Sequence, residues 1–432
     1  MPTRALLVGT AWFVGMCMTI FLLVAPVSGC GKAAPTPEPA TAPADEPVTV
    51  RFAGYYLERD YYEELIRAFN DQYPTIPVEF LPHTEDELAA LGPGAADVRP
   101  VWQGMFGSVQ KRGDLLTLDP VIHTDESLLE LSDLYPGVAQ VFATDGRIWA
   151  IPVGANPRMM YYNVDLFDRY GVPYPETDWT WDDFLGAARA IRDPDAGVYG
   201  YACLGYLYEP TQWVFSHGGQ IFDDMQDPTR TTFDDPLTVE ALEWYGDLAR
   251  EHDVCITSGE AGGVDDVFRI IRAGRVGMWT TGFVARGGWD WPDGSNAELR
   301  FPWGMVPLPR DRRSSSGTFV AGHAISSQAE HPDAAWKWIA FLSRQVHEYL
   351  APVRRSVAES AEFEELVGGE IAAAARAALE DGLLLWPPSA FTKFGEELDI
   401  LRAAVNDILG SRKSAQEAMD WAQQEAARRA AP

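Results

Sequence analysis

The chain is poor in the residues that carry metal, redox and covalent chemistry. Of its 432 residues only 4 are cysteine and 7 are histidine. Cys17 and Cys30 belong to an apolar N-terminal stretch and its end, which leaves Cys203 and Cys255 for the rest of the chain. There is no CxxC pair and no Cys/His cluster, so no structural zinc site is expected, and no two histidines stand at i, i+4. The acidic turn Asp193–Gly197 lacks the spacing and closing glutamate of a calcium loop. GxSxG, GxxxxGKS and a GxGxxG after a strand are all missing. Neither a metal nor a cofactor is therefore expected. Positive charge is scarce as well: 34 Lys and Arg stand against 63 Asp and Glu, for a net charge of −29. Nucleic acids and polyanions are poor partners for such a surface, and the folded body is not expected to lie on anionic lipid.

Long apolar runs are equally rare. The one that exists spans about Ala5 to Val27, with Arg4 before it and Val27-Ser28-Gly29-Cys30 at its end. A basic start, an apolar run and small residues at the break describe a secretory signal. A run of this length also matches a membrane-spanning helix, so an uncleaved anchor is the alternative. The end of the run resembles a bacterial lipobox. That resemblance implies cleavage after residue 29, acylation of Cys30 and stable anchoring by several acyl chains. Residues 31–47 hold Pro, Ala, Thr and Glu with no aromatic, the composition of a disordered tether.

Residues 48–432 exceed one typical core and fit two or three domains. Aromatics are abundant at 12%, with 15 tryptophans. Val48–Phe52 reads as a strand. Tyr62, Leu65, Ile66 and Phe69 fall at helical spacing over roughly 59–73, where Pro74 stops the helix. Val78–Leu81 and a weaker Asp97–Trp102 read as further strands, so the chain opens as an α/β domain with parallel pairing. Arg147–Pro152 and Arg158–Asn163 read as two separate strands. Thr180 is placed to cap a helix with Asp182 and Asp183 in its first turn. Strands at 198–204 and 275–280, helices at 236–252 and 264–273, and an extended stretch at 301–309 follow. The last hundred residues read as mostly helical, broken at Gly382–Pro388. Cys203 and Cys255 can pair in an exported protein, but sequence sets no distance between them.

Several segments in fixed order carry a family resemblance: "AFNDQYPTIPVEF", "DGRIWAIPVGANPRMMYYNVDLFDRYGVPYPETDWTWDDFLGAARAI", "VEALEWYGDLA", "VFRIIRAGRVGMWTTG", "WGMVPLPRD" and "HPDAAWKWIAFLS". With the lipobox they resemble the bacterial extracellular solute-binding proteins of the sugar-binding type, relatives of maltodextrin-binding protein that serve ABC importers. The resemblance implies an α/β fold of the type II, two-lobe, periplasmic-binding-protein kind, with a ligand cleft between lobes joined by hinge crossings. Carried over, lobe 1 is 48–153 plus 309–345 and lobe 2 is 157–305 plus 346–428, after a signal peptide at 1–29 and the tether at 30–47. The implied function is capture of a carbohydrate by a monomer and its delivery to a membrane permease. An exported carbohydrate-active enzyme and a ligand-sensing receptor component are the alternatives. Carboxylates are too numerous for counting to find a glycosidase pair.

A sugar site needs aromatic faces for stacking and polar groups for hydroxyls, in a concavity between domains. Residues just past strand ends or on inter-lobe segments are the candidates: Tyr55 and Tyr56 after the first strand, Trp102 and Gln103 after the third, Asn156 and Arg158 at the hinge, Tyr161, and Trp213 on a helix. Thr280, Thr281 and Phe283 follow the strand "RVGMW", whose Trp279 is the leading candidate. By the resemblance, the Pro-rich break supplies Trp386. Trp149, Trp181, Trp244, Trp303, Trp336 and Trp338 sit at periodic positions and read as core.

Overall fold

A computed structural model describes residues 47–122, 130–205, 209–225, 227–286, 299–380, 383–385 and 394–430. Cys30 and Trp386 lie outside the described residues.

The first strand, β1 (Val50–Tyr55), pairs in parallel with β2 (Val78–His83) and β3 (Val98–Trp102). The crossover from β1 to β2 is the helix Arg59–Gln72, and its apolar stripe explains its place. Tyr62 and Phe69 are buried, with Tyr62 edge-on to Phe52 at 4.8 Å and Phe69 edge-on to Trp338 at 5.1 Å. The helix ends at Gln72, two residues before Pro74.

A small hairpin, β4 (Ala143–Thr144) with β5 (Arg147–Ile148), precedes the longest strand, β6 (Ile151–Asn163). Next come β7 (Tyr199–Cys203), β8 (Cys255–Thr257), β9 (Val276–Gly282), β10 (Trp303–Val306), β11 (Ser316–Ile325) and β12 (Leu383–Leu385). The spatial order is β2-β1-β3-β11-β6-β9-β7-β8, with β10 also on β6 and β12 on β11. β7 pairs in parallel with β8 and β9. Around this second parallel set lie the helices Trp181–Ile191, Pro236–Arg250 and Val264–Arg272. Thr180 caps the first of these in a capping box closed by Asp183. The chain is thus a mixed α/β protein whose two parallel sets meet through β6 and β11.

The two strands read at 147–152 and 158–163 are instead a short hairpin strand and one continuous β6. The prolines at 152 and 157 concealed that continuity. Proline in a sheet is confined to edges and irregularities because it has no N–H to donate. Here the β6–β11 register shifts: Ala321 faces Gly154 while Gly322 faces Pro152, so Val153 bulges out beside Pro152. Pro157, opposite Thr318, is the last residue of β6 on β11, and Arg158 already faces Gly282 of β9. Each proline therefore sits where the ladder is irregular or changes partner. Ala155 also exchanges two backbone hydrogen bonds of 2.8 Å with Ala351, so the 351 segment runs beside β6.

The cysteine question is settled by geometry. Cys203 and Cys255 form a disulfide with their Cα atoms 5.7 Å apart, joining neighbouring strands β7 and β8.

Candidate ligand-binding cleft

A cavity of about 810 Å³ opens where the C-terminal ends of β1 and β3 meet β11, the Val153 bulge of β6 and the segment 347–350. That is the volume range of small-molecule sites. Its position follows from the parallel set, since open α/β sheets bind ligands beyond their strand ends. Tyr55 closes β1, Trp102 closes β3, and Phe319 projects from β11, each half-buried and each on the cavity wall. Tyr349 supplies a further aromatic wall and Asn156 of β6 a polar one. Asn156 Oδ1 also accepts a hydrogen bond of 3.1 Å from the Val284 N–H, tying the crossing strand to the turn after β9.

The floor is polar and desolvated. Burial pushes the Glu58 carboxyl up to about 7, against the opposite pull of a hydrogen bond with Tyr62. His347 is buried, and its Nδ1 accepts from the N–H groups of Tyr349 at 3.1 Å and Leu350 at 3.3 Å. That leaves the proton on Nε2, which lies 3.7 Å from Glu58 Oε1. Burial, assisted by the Arg286 charge, holds His347 down at about 3. His323 lines the cavity from β11 at 3% exposure. Its ring lies 5.3 Å from Phe52 and 6.3 Å from Tyr62, and neither nitrogen meets a hydrogen-bonding partner among the described residues. Burial, with His347 adding to it, takes His323 down to about 3 as well.

Of the residues expected from sequence, the structure brings Tyr55, Trp102 and Asn156 to this cavity. Gln103 stands just behind it, buried, with its Oε1 accepting from the Val320 N–H at 3.2 Å; it positions β11 instead of facing the space. Tyr56 is 47% exposed and does not line the cavity, and Arg158 is half-buried off its wall.

The largest correction concerns Trp279. It is 1% exposed, stacked on Tyr161 at 5.7 Å and edge-on to Phe301 at 6.1 Å, in a core shared with Val267, Phe268 and Ile271 of the helix beside it. The physical reason is strand length. β9 runs on to Gly282, with β6 on one side and β7 on the other and every residue buried, so positions 279–281 are interior strand and not a loop beyond it. Thr280, Thr281 and Phe283 are buried with it, and Val284 is the residue of this segment that reaches the cavity. Tyr161 is likewise core, its hydroxyl donating to the Gly282 carbonyl at 2.9 Å. Trp213 is buried against Trp181 at 5.6 Å and Phe184 at 5.0 Å. Of the tryptophans read as core, Trp181, Trp336 and Trp338 are buried, whereas Trp149, Trp244 and Trp303 are partly exposed.

Glu58, Phe319, His323, His347 and Tyr349 went unrecognised in the sequence. Glu58 carried a signal, three residues past Tyr55 in the same strand-end turn. The histidines carried none, because each reaches the cavity only through long-range pairing. Among the described residues no group of three or more His, Cys, Asp or Glu could hold a metal ion, and no helix is long and apolar enough to cross a membrane.

A family model of the bacterial extracellular solute-binding protein matches residues 56–345. Among curated proteins, an arabinooligosaccharide-binding protein of Halalkalibacterium halodurans is 24% identical over 71% of this chain and 69% of its own length. A mannitol-binding protein of Pseudomonas aeruginosa is 24% identical over 53% of this chain and 52% of its own. Among solved structures, an ABC substrate-binding protein of Listeria monocytogenes in complex with cycloalternan superposes with a TM-score of 0.68 at 20% identity, covering 88% of this chain and 98% of that one. A cyclic alpha-maltosyl-1,6-maltose binding protein of Arthrobacter globiformis gives 0.70 at 20% identity, covering 88% and 97%. These two share the fold.

Proposed function

The chain belongs to the bacterial extracellular solute-binding proteins, a family of binding proteins and not of enzymes, and we propose that it captures a carbohydrate in the cleft and delivers it to an ABC-type importer. The observation that carries this reading is the cavity wall itself. Tyr55, Trp102, Phe319 and Tyr349 offer aromatic faces, and Asn156, Glu58 and His323 offer hydrogen-bonding groups, in one concavity. Pyranose rings present apolar C–H faces and hydroxyl edges, and such a mixed wall suits both. Relatives named for arabinooligosaccharide and mannitol support the same class.

The lobes proposed are 48–153 with 309–345 and 157–305 with 346–428. The change of partner along β6 at Pro157, and the 351 segment beside it, support a hinge where a few backbone angles change while each parallel set moves as a body. Cys30 is proposed as the lipid attachment point, from the Val27–Cys30 segment. Mass spectrometry of the native N-terminus is expected to find an acylated Cys30; an unmodified cysteine there removes the anchor from the account.

Calorimetric titration with arabinotriose, maltotriose and mannitol tests the capture function, with heat of binding expected from at least one. Trp102→Ala is expected to weaken that ligand by about 30- to 900-fold, since a truncated aromatic anchor costs about 2–4 kcal/mol and about 1.4 kcal/mol is tenfold. Trp102 is half-buried against Ala53, Leu88 and Ala96, so a melt of the variant separates lost ligand contact from lost stability. Silence from the whole panel, or unchanged affinity in Trp102→Ala, counts against the proposal.

A further inference from the structure

On the reading that the cleft captures a carbohydrate, we propose that His323 is a ligand-binding residue that takes a hydroxyl of an uncharged polyol, and that the floor it shares with Glu58 and His347 turns away anionic sugars. Three observations converge on this. His323 lies on the cavity wall at 3% exposure with both ring nitrogens unpartnered among the described residues. A buried polar group is ordinarily hydrogen-bonded, so an unpartnered imidazole on a cavity wall is explained by what enters the cavity. A neutral imidazole offers one N–H and one lone pair, which is what a hydroxyl offers in return. His323 is neutral, because a charged ring between Phe52 and Tyr62 would be desolvated without a counter-charge.

The second observation is the charge around it. The ionisable groups on the wall are Glu58, Glu85, His323, His347 and the tyrosines, and no Lys or Arg is among the described residues lining the cavity. The Arg286 charge acts on His347, and its guanidinium is directed to the backbone carbonyls of Phe283, Glu348 and Tyr349. Among the described residues lining the cavity, a carboxylate or phosphate entering here meets carboxyl groups and no Lys or Arg.

The third is the fixed tautomer of His347. Its Nδ1 is held by two backbone N–H groups, so it presents Nε2–H toward Glu58 and cannot become an anion-binding imidazolium without losing them. The described floor is therefore a set of neutral or acidic groups.

The test uses the full chain in detergent and matched probes: glucose with glucuronate, galactose with galacturonate, and mannitol with mannonate, together with arabinotriose and maltotriose. A neutral member is expected to bind, and its acidic counterpart to bind at least about tenfold more weakly at pH 8, where Glu58 is ionised. Acidic members that bind as tightly as neutral ones overturn this inference and leave carbohydrate capture standing. No binding by any member removes both. For the bound neutral probe, His323→Phe is expected to lose about tenfold or more in affinity with its melting temperature held or raised, since an unpartnered polar ring gives way to an apolar one. His323→Gln keeps a donor and an acceptor and is expected to bind within about threefold of the parent. Where Phe is not accommodated, His323→Leu carries the same comparison. A Phe or Leu variant as tight as the parent, or a Gln variant as weak as the Phe variant, overturns the role of His323.

Discussion

Trp279→Ala is expected to lower the free energy of unfolding by about 3–5 kcal/mol, the usual loss when a large aromatic is removed from a core. The indole is 1% exposed, stacked on Tyr161 and edge-on to Phe301, on a strand buried along its whole length. Nothing nearby can fill the void, because β9 is held between β6 and β7 and backed by the helix Val264–Arg272. Affinity of the folded fraction for its ligand is expected to stay within a few-fold of the parent, since Trp279 does not line the cavity. Denaturant titration followed by calorimetry below the transition separates the two effects. A near-native midpoint with lost binding would return Trp279 to the cleft.

Replacing both cysteines, Cys203→Ala with Cys255→Ala, is expected to cost about 4 kcal/mol of stability. The bridge spans 52 residues, and closing a loop of that size removes about this much chain entropy from the unfolded state. The span encloses the helices Pro210–His217 and Pro236–Arg250, so the unfolded chain gains freedom over a large part of the second parallel set. Parent protein melted in reductant should match the double variant, and the variant should ignore reductant. A parent that ignores reductant as well would mean the thiols stay unpaired in solution. Ligand affinity is expected to be unchanged, because the bridge lies on the β7–β8 side of the sheet, away from the cavity walls.

What the sequence disclosed depended on how local the cause was. The helix Arg59–Gln72 was legible from four apolar residues and a stop at Pro74, and the capping of Trp181–Ile191 from Thr180 and Asp183, because both are written within a few positions. In the sequence β6 reads as two strands because Pro152 and Pro157 break a strand pattern. Only pairing with β11 and β9 reveals the bulge and the change of partner that admit them. The same rule, that ligands sit beyond strand ends, points to Tyr55 and Trp102, which line the cavity, and to Trp279, which is buried inside the sheet. Two extra residues of β9 separate those outcomes. His323 left no trace, since a histidine inside "SGTFVAGHAI" reads as a strand residue until β3 and β6 are set on either side of it.

The most direct measurement is a crystal structure of the chain with the tightest-binding sugar of the panel. The account predicts density between Trp102 and Phe319, with a hydroxyl within hydrogen-bonding distance of His323 and the two parallel sets rotated toward each other about Pro157. Sugar found elsewhere, with the cavity between β1, β3 and β11 left to solvent, would contradict it.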